Sequence, residues 1–325
     1  PPPLHGDILR SYVPAIEAAT HSAMASWPSD SPVRMLDAGR DLTLDVIVQV
    51  IFGVHAAEDI ERLGKPFADL LDLALSTETP IRYAARQLGA LRSWGTLRDV
   101  NRRIDAVVLP LIARRRATAE RGRATDVLSM LVDARGEDGD QLSDNEIRAD
   151  VITLMLAGHE TTATTLAWLV DLLAHHPDVQ RRVRAEIGTG RTDYTEAVIN
   201  ETLRLRPPAP ITGRMTAEKY RLGDYTLPAG TRIVLLLDAI NRDPETYPDP
   251  NTFDPERFVG ARPNPYGWVP FGGGIKRCIG ASFSMCELTT ILHTMLAQAE
   301  LRPASRRLES PATHAAPVIA PRHGA

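Results

Sequence analysis

The feature that most constrains the fold is a run of about thirty residues from Ser143 onward, in which apolar residues recur at helical spacing. The letters "SDNE" at its start fit a capping box, in which the side chains of Ser143 and Glu146 satisfy free backbone N–H groups. Pro177 ends the pattern after His175 and His176, because proline cannot continue a helix. A helix of about 45–50 Å crosses a whole globular domain, so the sequence predicts that its middle is buried.

The rest of the chain is predicted to be mainly α-helical with a minor β-sheet. Residues 41–54, "DLTLDVIVQVIFGV", have helical spacing, with Asp41 as the N-cap and Gly53 near the end. Residues 220–237 alternate and turn as strands of a small sheet do, and the apolar run 233–237 is predicted to be a buried strand. The absence of a regular βαβ alternation in the sequence favours a mainly α fold.

Composition excludes several classes of protein. The 325 residues are 43% hydrophobic, enough for a large core, and the net charge of −4 disfavours general binding to nucleic acid or anionic membranes. Two cysteines cannot form a disulfide framework, which favours a reducing cytoplasm. No apolar run approaches the roughly 18 residues of a membrane span, and no signal peptide is visible.

One of the two cysteines, Cys278, stands in the unusual setting "PFGGGIKRCIG", between three glycines and an apolar helical pattern. A lone cysteine is most often a small core residue, and Cys286 is interpreted in that way. The glycines around Cys278 instead allow the backbone to approach a flat object closely. Without further ligands at zinc spacing, such a thiolate suits haem iron, because the porphyrin supplies four nitrogens and the protein only an axial ligand.

The motif "AGHETT", residues 157–162, places polar residues and a glycine in the middle of the long helix. A solvated face or a satisfied hydrogen-bond pocket would explain it. The functional interpretation is that Gly158, which has no side chain, lets another group pack closely against the helix. Thr161 would bond the Ala157 carbonyl and open the hydrogen-bond ladder of the helix, which leaves a groove for a small ligand or water, and Glu160 would relay protons. His159 receives no role.

Two further groups of charged residues stand out. Glu201 and Arg204 in "ETLR" are i, i+3 neighbours on an apolar helix, so we expect a buried pair, with Arg257 of "PERF" as a candidate third member. Arg214 and Lys276 are candidate partners for the propionates of a haem, although each also fits an ordinary surface cation.

Taken in order, these motifs resemble those of the cytochrome P-450 family of haem-thiolate monooxygenases, in its soluble bacterial style. "FGGGIKRCIG" is similar to the haem-binding loop, "AGHETT" to the oxygen-binding stretch of the central helix, "ETLR" to the Glu-x-x-Arg helix and "PERF" to the meander arginine. The resemblance implies the cytochrome P-450 fold, with its long central helix and cysteine-ligand loop. It covers essentially all of residues 1–325, as a single haem-thiolate domain.

The resemblance also implies roles for individual residues. Cys278 would be the axial ligand of the iron, and Thr161 with Glu160 the acid–alcohol pair that delivers protons during oxygen activation. Glu201, Arg204 and Arg257 would form a structural triad. The remaining haem contacts would come from Ala157, Gly158, Arg214, Phe271, Gly272, Gly274, Lys276 and Gly280.

Two departures from the family pattern are visible. Lys276 stands where the family usually has Arg or His, so a contact with a propionate would lose the planar fork of arginine. The family also has helices upstream of the point matched by Pro1, one of which carries an arginine that contacts haem. Relative to the family, the chain is therefore expected to be N-terminally incomplete.

The function implied is a monooxygenase that uses haem b (iron protoporphyrin IX) to insert one atom of O2 into a small apolar organic substrate. Because no flavin or nicotinamide motif is visible, electrons would come from a ferredoxin or similar donor with its reductase, docked near Lys276 and Arg277. A cytoplasmic monomer is expected, and residues 60–94 are expected to include helices over the pocket. Two alternatives stay open: an inactive or non-catalytic truncated haem-thiolate protein, and peroxide-driven oxygenation.

Overall fold

The chain is described by a computed structural model that covers residues 6, 8–76, 79, 95–117, 126–136, 139–315 and 318–325. Most regular structure in these ranges is helical, which confirms the predicted fold class. The helices are α1 (Ile8–Ser26), α2 (Met35–Phe52), α3 (Ala57–Leu75), α4 (Gly95–Ala117), α5 (Val127–Asp133), α6 (Asp144–His175), α7 (Pro177–Glu186), α8 (Asp193–Leu205), α9 (Leu237–Ile240) and α10 (Ala281–Gln298). The strands are β1 (Ile211–Met215), β2 (Tyr220–Leu222), β3 (Tyr225–Leu227), β4 (Arg232–Leu236), β5 (Pro311–Ala315) and β6 (Val318–Pro321).

The central helix α6 has the predicted start and end. Its 32 residues begin after a capping box, in which the Ser143 N–H donates to the Glu146 carboxylate at 2.8 Å and the Glu146 N–H donates to the Ser143 hydroxyl at 3.3 Å. Pro177 is then the first residue of α7. From Thr162 to Ala174 every side chain of α6 is buried, so the middle and second half of the helix form part of the core. Among the helices described, none has the length and apolar character needed to cross a membrane.

Helix α2 packs across α6, and it begins earlier than predicted. A Cβ added at Gly39 would lie 3.4 Å from the Ala163 carbonyl oxygen, so the two helices approach closely there. The expectation of Asp41 as N-cap is wrong, because the first helical residue is Met35. The N–H groups of residues 35 and 36 donate to the carbonyls of Ala325 and Gly324, at 3.2 and 3.0 Å. The start of α2 is thus stabilised by the end of the chain, while Gly53 ends the helix as expected.

The predicted small β-sheet is in fact a set of separate two-stranded ribbons among the described residues. Strand β2 pairs with β3 as expected, whereas β4 pairs with the earlier strand β1. The expectation that residues 233–237 form a buried strand is wrong. Val234 and Leu236 are 60% and 55% exposed, because one face of this two-stranded ribbon is uncovered.

Helix α3 covers only part of residues 60–94, which were expected to include helices over the pocket. Helix α3 ends at Leu75, and residues 80–94 lie outside the described residues.

Glu201 and Arg204 of α8 form the buried pair that the sequence predicts. Both side chains are fully buried, and the guanidinium donates to the two carboxylate oxygens at 2.6 and 2.8 Å. Arg204 also donates to the main-chain carbonyls of Asn241, Pro250 and Thr252. The Nε of Arg257 lies 3.6 Å from Glu201 Oε1. These contacts attach the irregular segment after α9 to α8.

Candidate functional site

The cysteine loop forms a tight turn that presents the Cys278 thiol to a cavity. The Cys278 N–H donates to the Phe271 carbonyl at 2.9 Å. Gly272 and Gly274 have φ values of 67° and 64°, in the left-handed region that favours glycine. The thiol is exposed and lies near the start of α10, since a Cβ added at Gly280 would stand 3.9 Å from the sulfur. The glycines therefore permit the turn that faces the sulfur into the cavity.

The second cysteine has different surroundings. Cys286 is half-buried on α10, and burial raises the pKa of its thiol. Its sulfur lies 3.9 Å from the Leu9 carbonyl oxygen of α1. This agrees with the packing role expected from the sequence.

The cavity, about 320 Å³ in volume, brings the cysteine loop and the middle of α6 together. Its lining includes most of the residues expected at the site: Ala157, Gly158, Thr161, Arg214, Phe271, Gly272, Lys276, Cys278 and Gly280. Gly274 and Glu160 lie off this lining. Most of the other lining side chains are apolar, among them Ile47, Ile51, Val127, Leu154, Leu237 and Phe283. The arrangement is a largely apolar chamber with a thiol on one wall and a threonine on another.

Thr161 makes the hydrogen bond that the motif predicts. Its hydroxyl donates to the Ala157 carbonyl at 2.7 Å, and the Thr165 hydroxyl donates to the Thr161 carbonyl at 2.8 Å. Helix α6 nevertheless continues as α-helix through the motif, so the expected opening of the hydrogen-bond ladder is not seen. Because each hydroxyl bonds within its own helix, the oxygens of Thr161 and Thr165 keep acceptor capacity for a further donor.

Gly158 lies beneath a side chain of α2. A Cβ added at Gly158 would stand 3.1 Å from Ile47 Cδ1, which is tighter than ordinary van der Waals contact. The residue that presses on α6 here is therefore Ile47. Gly158 also lines the cavity, so the absence of a side chain leaves the main chain of α6 accessible from the cavity.

Glu160 faces α2. The residue is 4% exposed, and its carboxylate accepts from Arg40 Nε at 2.8 Å and from Arg40 Nη2 at 2.6 Å. The hydrogen bond to Glu160 is the main cause of the raised pKa of Arg40. Arg40 and Glu160 are 120 positions apart, so spacing along the chain could not pair them. The local sequence gave no clear signal, because Arg40 stands among the aspartates 37, 41 and 45 of α2.

His159, which the sequence left without a role, bonds to the same arginine. Its Nε2 lies 2.8 Å from the Arg40 carbonyl oxygen, and the side chain is buried. Burial lowers the pKa of His159, so the neutral ring donates its Nε2–H to that carbonyl. Arg40 is thus held at its main chain by one residue of the motif and at its side chain by the next.

Two cations stand on the lining of the cavity. Arg214 of β1 donates to the Thr212 hydroxyl at 3.1 Å and to the Gly213 carbonyl at 2.8 Å. Lys276 lies on the short turn before Cys278. Both side chains are exposed, so each is free to rearrange toward an anionic group in the cavity.

Comparison with known proteins gives a consistent result. A model of the cytochrome P450 family matches residues 2–322. The provisionally named cytochrome P450 137 of Mycobacterium tuberculosis is 59% identical over 299 residues, which is 92% of this chain and 63% of that protein. The provisionally named cytochrome P450 138 of Mycobacterium bovis is 35% identical over 91% of this chain and 67% of its own length. The chain thus spans 63% of the length of its 59%-identical relative.

Solved structures share the architecture. A retinoic acid-bound cyanobacterial CYP120A1 superposes with a TM-score of 0.79 at 25% identity, over 98% of this chain and 74% of that one. The haem domain of cytochrome P450DA superposes with a TM-score of 0.77, also at 25% identity, over 95% and 71% of the two chains.

Proposed function

The chain belongs to the cytochrome P450 family, whose members are haem-thiolate proteins, and from this we propose that it is a haem-dependent monooxygenase or the greater part of one. In the proposed reaction one oxygen atom of O2 is inserted into a small apolar organic substrate. The observation that carries the proposal is that the Cys278 thiol and Thr161 line one apolar cavity.

The residues present fit a haem. A flat porphyrin that already holds its iron needs one soft axial donor, and Cys278 is an exposed thiol on the lining. No cluster of three or more His, Cys, Asp or Glu residues able to hold a metal ion occurs among the described residues. The thiol therefore suits a metal whose other ligands belong to a macrocycle.

We assign a role in haem binding to the residues on each side of the cavity. Cys278 would hold the iron, and Phe271, Gly272, Gly274 and Gly280 would shape the loop that carries this ligand. Arg214 and Lys276 would meet the carboxylate groups of the haem, and Ala157 and Gly158 would give a close surface on α6. When bound, haem supplies the activation of O2, and a thiolate ligand favours O–O cleavage.

Proton delivery is assigned to Thr161 and Glu160. The Thr161 hydroxyl lies on the cavity lining and donates to its own helix. Its oxygen therefore remains able to accept a hydrogen bond from a donor in the chamber. Glu160 is the adjacent acid, although its carboxylate is held by Arg40. A proton that reaches the chamber through this pair passes from the α2 side of α6 to the cavity side.

The partners follow from the apolar lining and from the lack of a flavin or nicotinamide motif. We infer a small apolar substrate and electrons from a ferredoxin or similar donor with its reductase, docked by cations such as Lys276 and Arg277. A cytoplasmic monomer, with residues 1–325 as one haem-thiolate domain, remains part of this proposal.

The test is the carbon monoxide spectrum of the reduced, haem-supplied protein. A strongly red-shifted Soret band is expected, because it reports a thiolate opposite the bound gas. Cys278→Ser should lose this band, whereas the control Cys286→Ser should keep it. If Cys278→Ser retains the band, the proposed ligand is wrong.

The same samples separate the two alternatives. A protein that binds haem but consumes no NADPH through a ferredoxin and its reductase would be a non-catalytic relative. One that turns over only with added hydrogen peroxide would be a peroxide-driven oxygenase.

A further inference from the structure

Arg40 bonds to two successive residues of the central motif. Its guanidinium binds both oxygens of the Glu160 carboxylate, and its main-chain carbonyl accepts from His159 at 2.8 Å. Because successive side chains of a helix project about 100° apart, two adjacent residues of α6 hold one residue of α2 from different directions.

The contact lies where the two helices are closest. The Thr43 hydroxyl, one turn along α2, lies 3.2 Å from the His159 carbonyl oxygen and 2.8 Å from the Gly39 carbonyl oxygen. Gly39 itself faces the Ala163 main chain. The main chain of Arg40 therefore has little room to move, and the bond from His159 is the imidazole contact among those that hold it.

The arginine also separates Glu160 from water. The Arg40 side chain is 31% exposed, whereas that of Glu160 is 5% exposed. The guanidinium is the more solvent-exposed member of the pair, and it covers the carboxylate oxygens that it binds. The position of Arg40 therefore bears on the orientation of the acid that precedes Thr161 and on its separation from water.

We propose that His159 is a positioning residue. It fixes the main chain of Arg40 so that the guanidinium holds the carboxylate of Glu160, the residue before Thr161, on the α2 side of α6. This inference rests on the proposed function, in which Glu160 supplies protons. If His159 only joined α2 to α6, its replacement would change the stability of the protein. It would not change the hydrogen bonding of the Arg40 side chain.

The direct measurement is hydrogen exchange at the Arg40 Nε–H. The chain is labelled with 15N-arginine and measured both with and without haem. Where haem binds, the sample is the reduced carbon monoxide complex. The Arg40 signal is assigned by its loss in Arg40→Lys. We expect exchange with solvent to be about tenfold faster in His159→Phe, and to return toward the original rate in His159→Gln, whose amide retains an N–H donor. The control His176→Gln changes an imidazole at the far end of α6 and should leave the signal unchanged.

A second measurement concerns electron uptake in air, followed as NADPH consumption through a ferredoxin and its reductase. We expect a decrease of roughly tenfold in His159→Phe and recovery in His159→Gln. If the Arg40 exchange rate is unaltered in His159→Phe, or in His159→Leu should the phenylalanine variant not fold, the positioning role is refuted whether or not haem binds. Faster exchange with unchanged electron uptake would support the Arg40 contact but refute the proton role of Glu160.

Discussion

At the scale of single residues, the site depends on the environments given to a few polar groups. Cys278 is exposed to a cavity, whereas Cys286 packs against α1 and has a thiol of raised pKa. Glu160 is buried with a full ionic partner. Glu287 of α10 is buried too, yet its Oε1 has no hydrogen-bond partner in the described part of the chain. The chemistry of identical side chains therefore differs with burial and partner.

Thr161→Ala should separate electron consumption from oxygen insertion. The hydroxyl lies on the cavity lining, and in the proposed function its oxygen accepts a hydrogen bond from a proton donor in the chamber. Without it we expect NADPH consumption to continue, while hydrogen peroxide released per NADPH rises by about tenfold. Thr161→Ser keeps the hydroxyl and should resemble the parent protein. Low peroxide release from the alanine variant would contradict the assignment.

Glu287→Gln should stabilise the protein near neutral pH but not in acid. Burial raises the pKa of Glu287 well above its ordinary value of 4.5, so above that pH the folded chain keeps a proton that the unfolded chain loses. Its contribution to stability therefore falls as pH rises through 4.5 toward the folded-state pKa. We expect the variant to gain more than about 1 kcal/mol at neutral pH, as measured by urea unfolding. The difference should shrink toward zero below the ordinary pKa of the side chain, and a gain of equal size at every pH would count against this explanation.

At the scale of elements, the crossing of α2 and α6 organises the site. Gly39 and Gly158 allow the close approach of the two helices, and Ile47 fills the space above Gly158. The ion pair between Arg40 and Glu160 lies at the same crossing. Since Gly158 also lines the cavity, the packing of α2 influences the shape of the chamber.

Gly158→Ala tests this crossing. Alanine in a helix interior is favoured over glycine by roughly 1 kcal/mol, but the new methyl group would lie 3.1 Å from Ile47 Cδ1. We expect the substitution to destabilise the parent protein by about 1–2 kcal/mol and to become stabilising in an Ile47→Val background, which lacks that atom. Gly95→Ala, where a Cβ would meet no atom of the described residues within 4 Å, is the control. The same loss in both backgrounds would exclude Ile47 as the cause.

At the scale of the whole molecule, the buried pair Glu201–Arg204 attaches the irregular segment after α9 to the helical core. Arg204 connects α8 to three main-chain carbonyls between residues 241 and 252, and Glu201 accepts the Asp254 N–H at 2.9 Å. The cysteine loop follows that segment. The pair therefore helps to place Cys278, although neither Glu201 nor Arg204 lines the cavity.

Glu201→Gln should therefore lower the unfolding free energy of the whole protein. Removing one charge leaves the Arg204 guanidinium fully buried without its counter-charge, at a cost of about 3–5 kcal/mol of unfolding free energy. Haem retention should decrease in parallel, as followed by the Soret absorbance during urea titration. The surface pair Arg102–Asp99 is the matched control, because Asp99→Asn should change stability by less than about 1 kcal/mol. Equal losses in the two variants would contradict the argument from burial.

What the sequence by itself determined are the features that depend on near neighbours. The capping box of α6, the bond from Thr161 to Ala157, the Glu201–Arg204 pair and the glycine turn before Cys278 all follow from spacings of a few residues. Short spacings are reliable because helix geometry places i, i+3 and i+4 together wherever the helix lies.

The tertiary structure alone decided the long-range partners. It placed Arg40 beside Glu160 and paired β4 with β1. It also supplied the carbonyls of Gly324 and Ala325 as acceptors for the first N–H groups of α2. It also gave His159 a bond to the main chain of α2. No local periodicity encodes such contacts, because they arise when the packing of distant elements leaves a buried polar group in need of a partner.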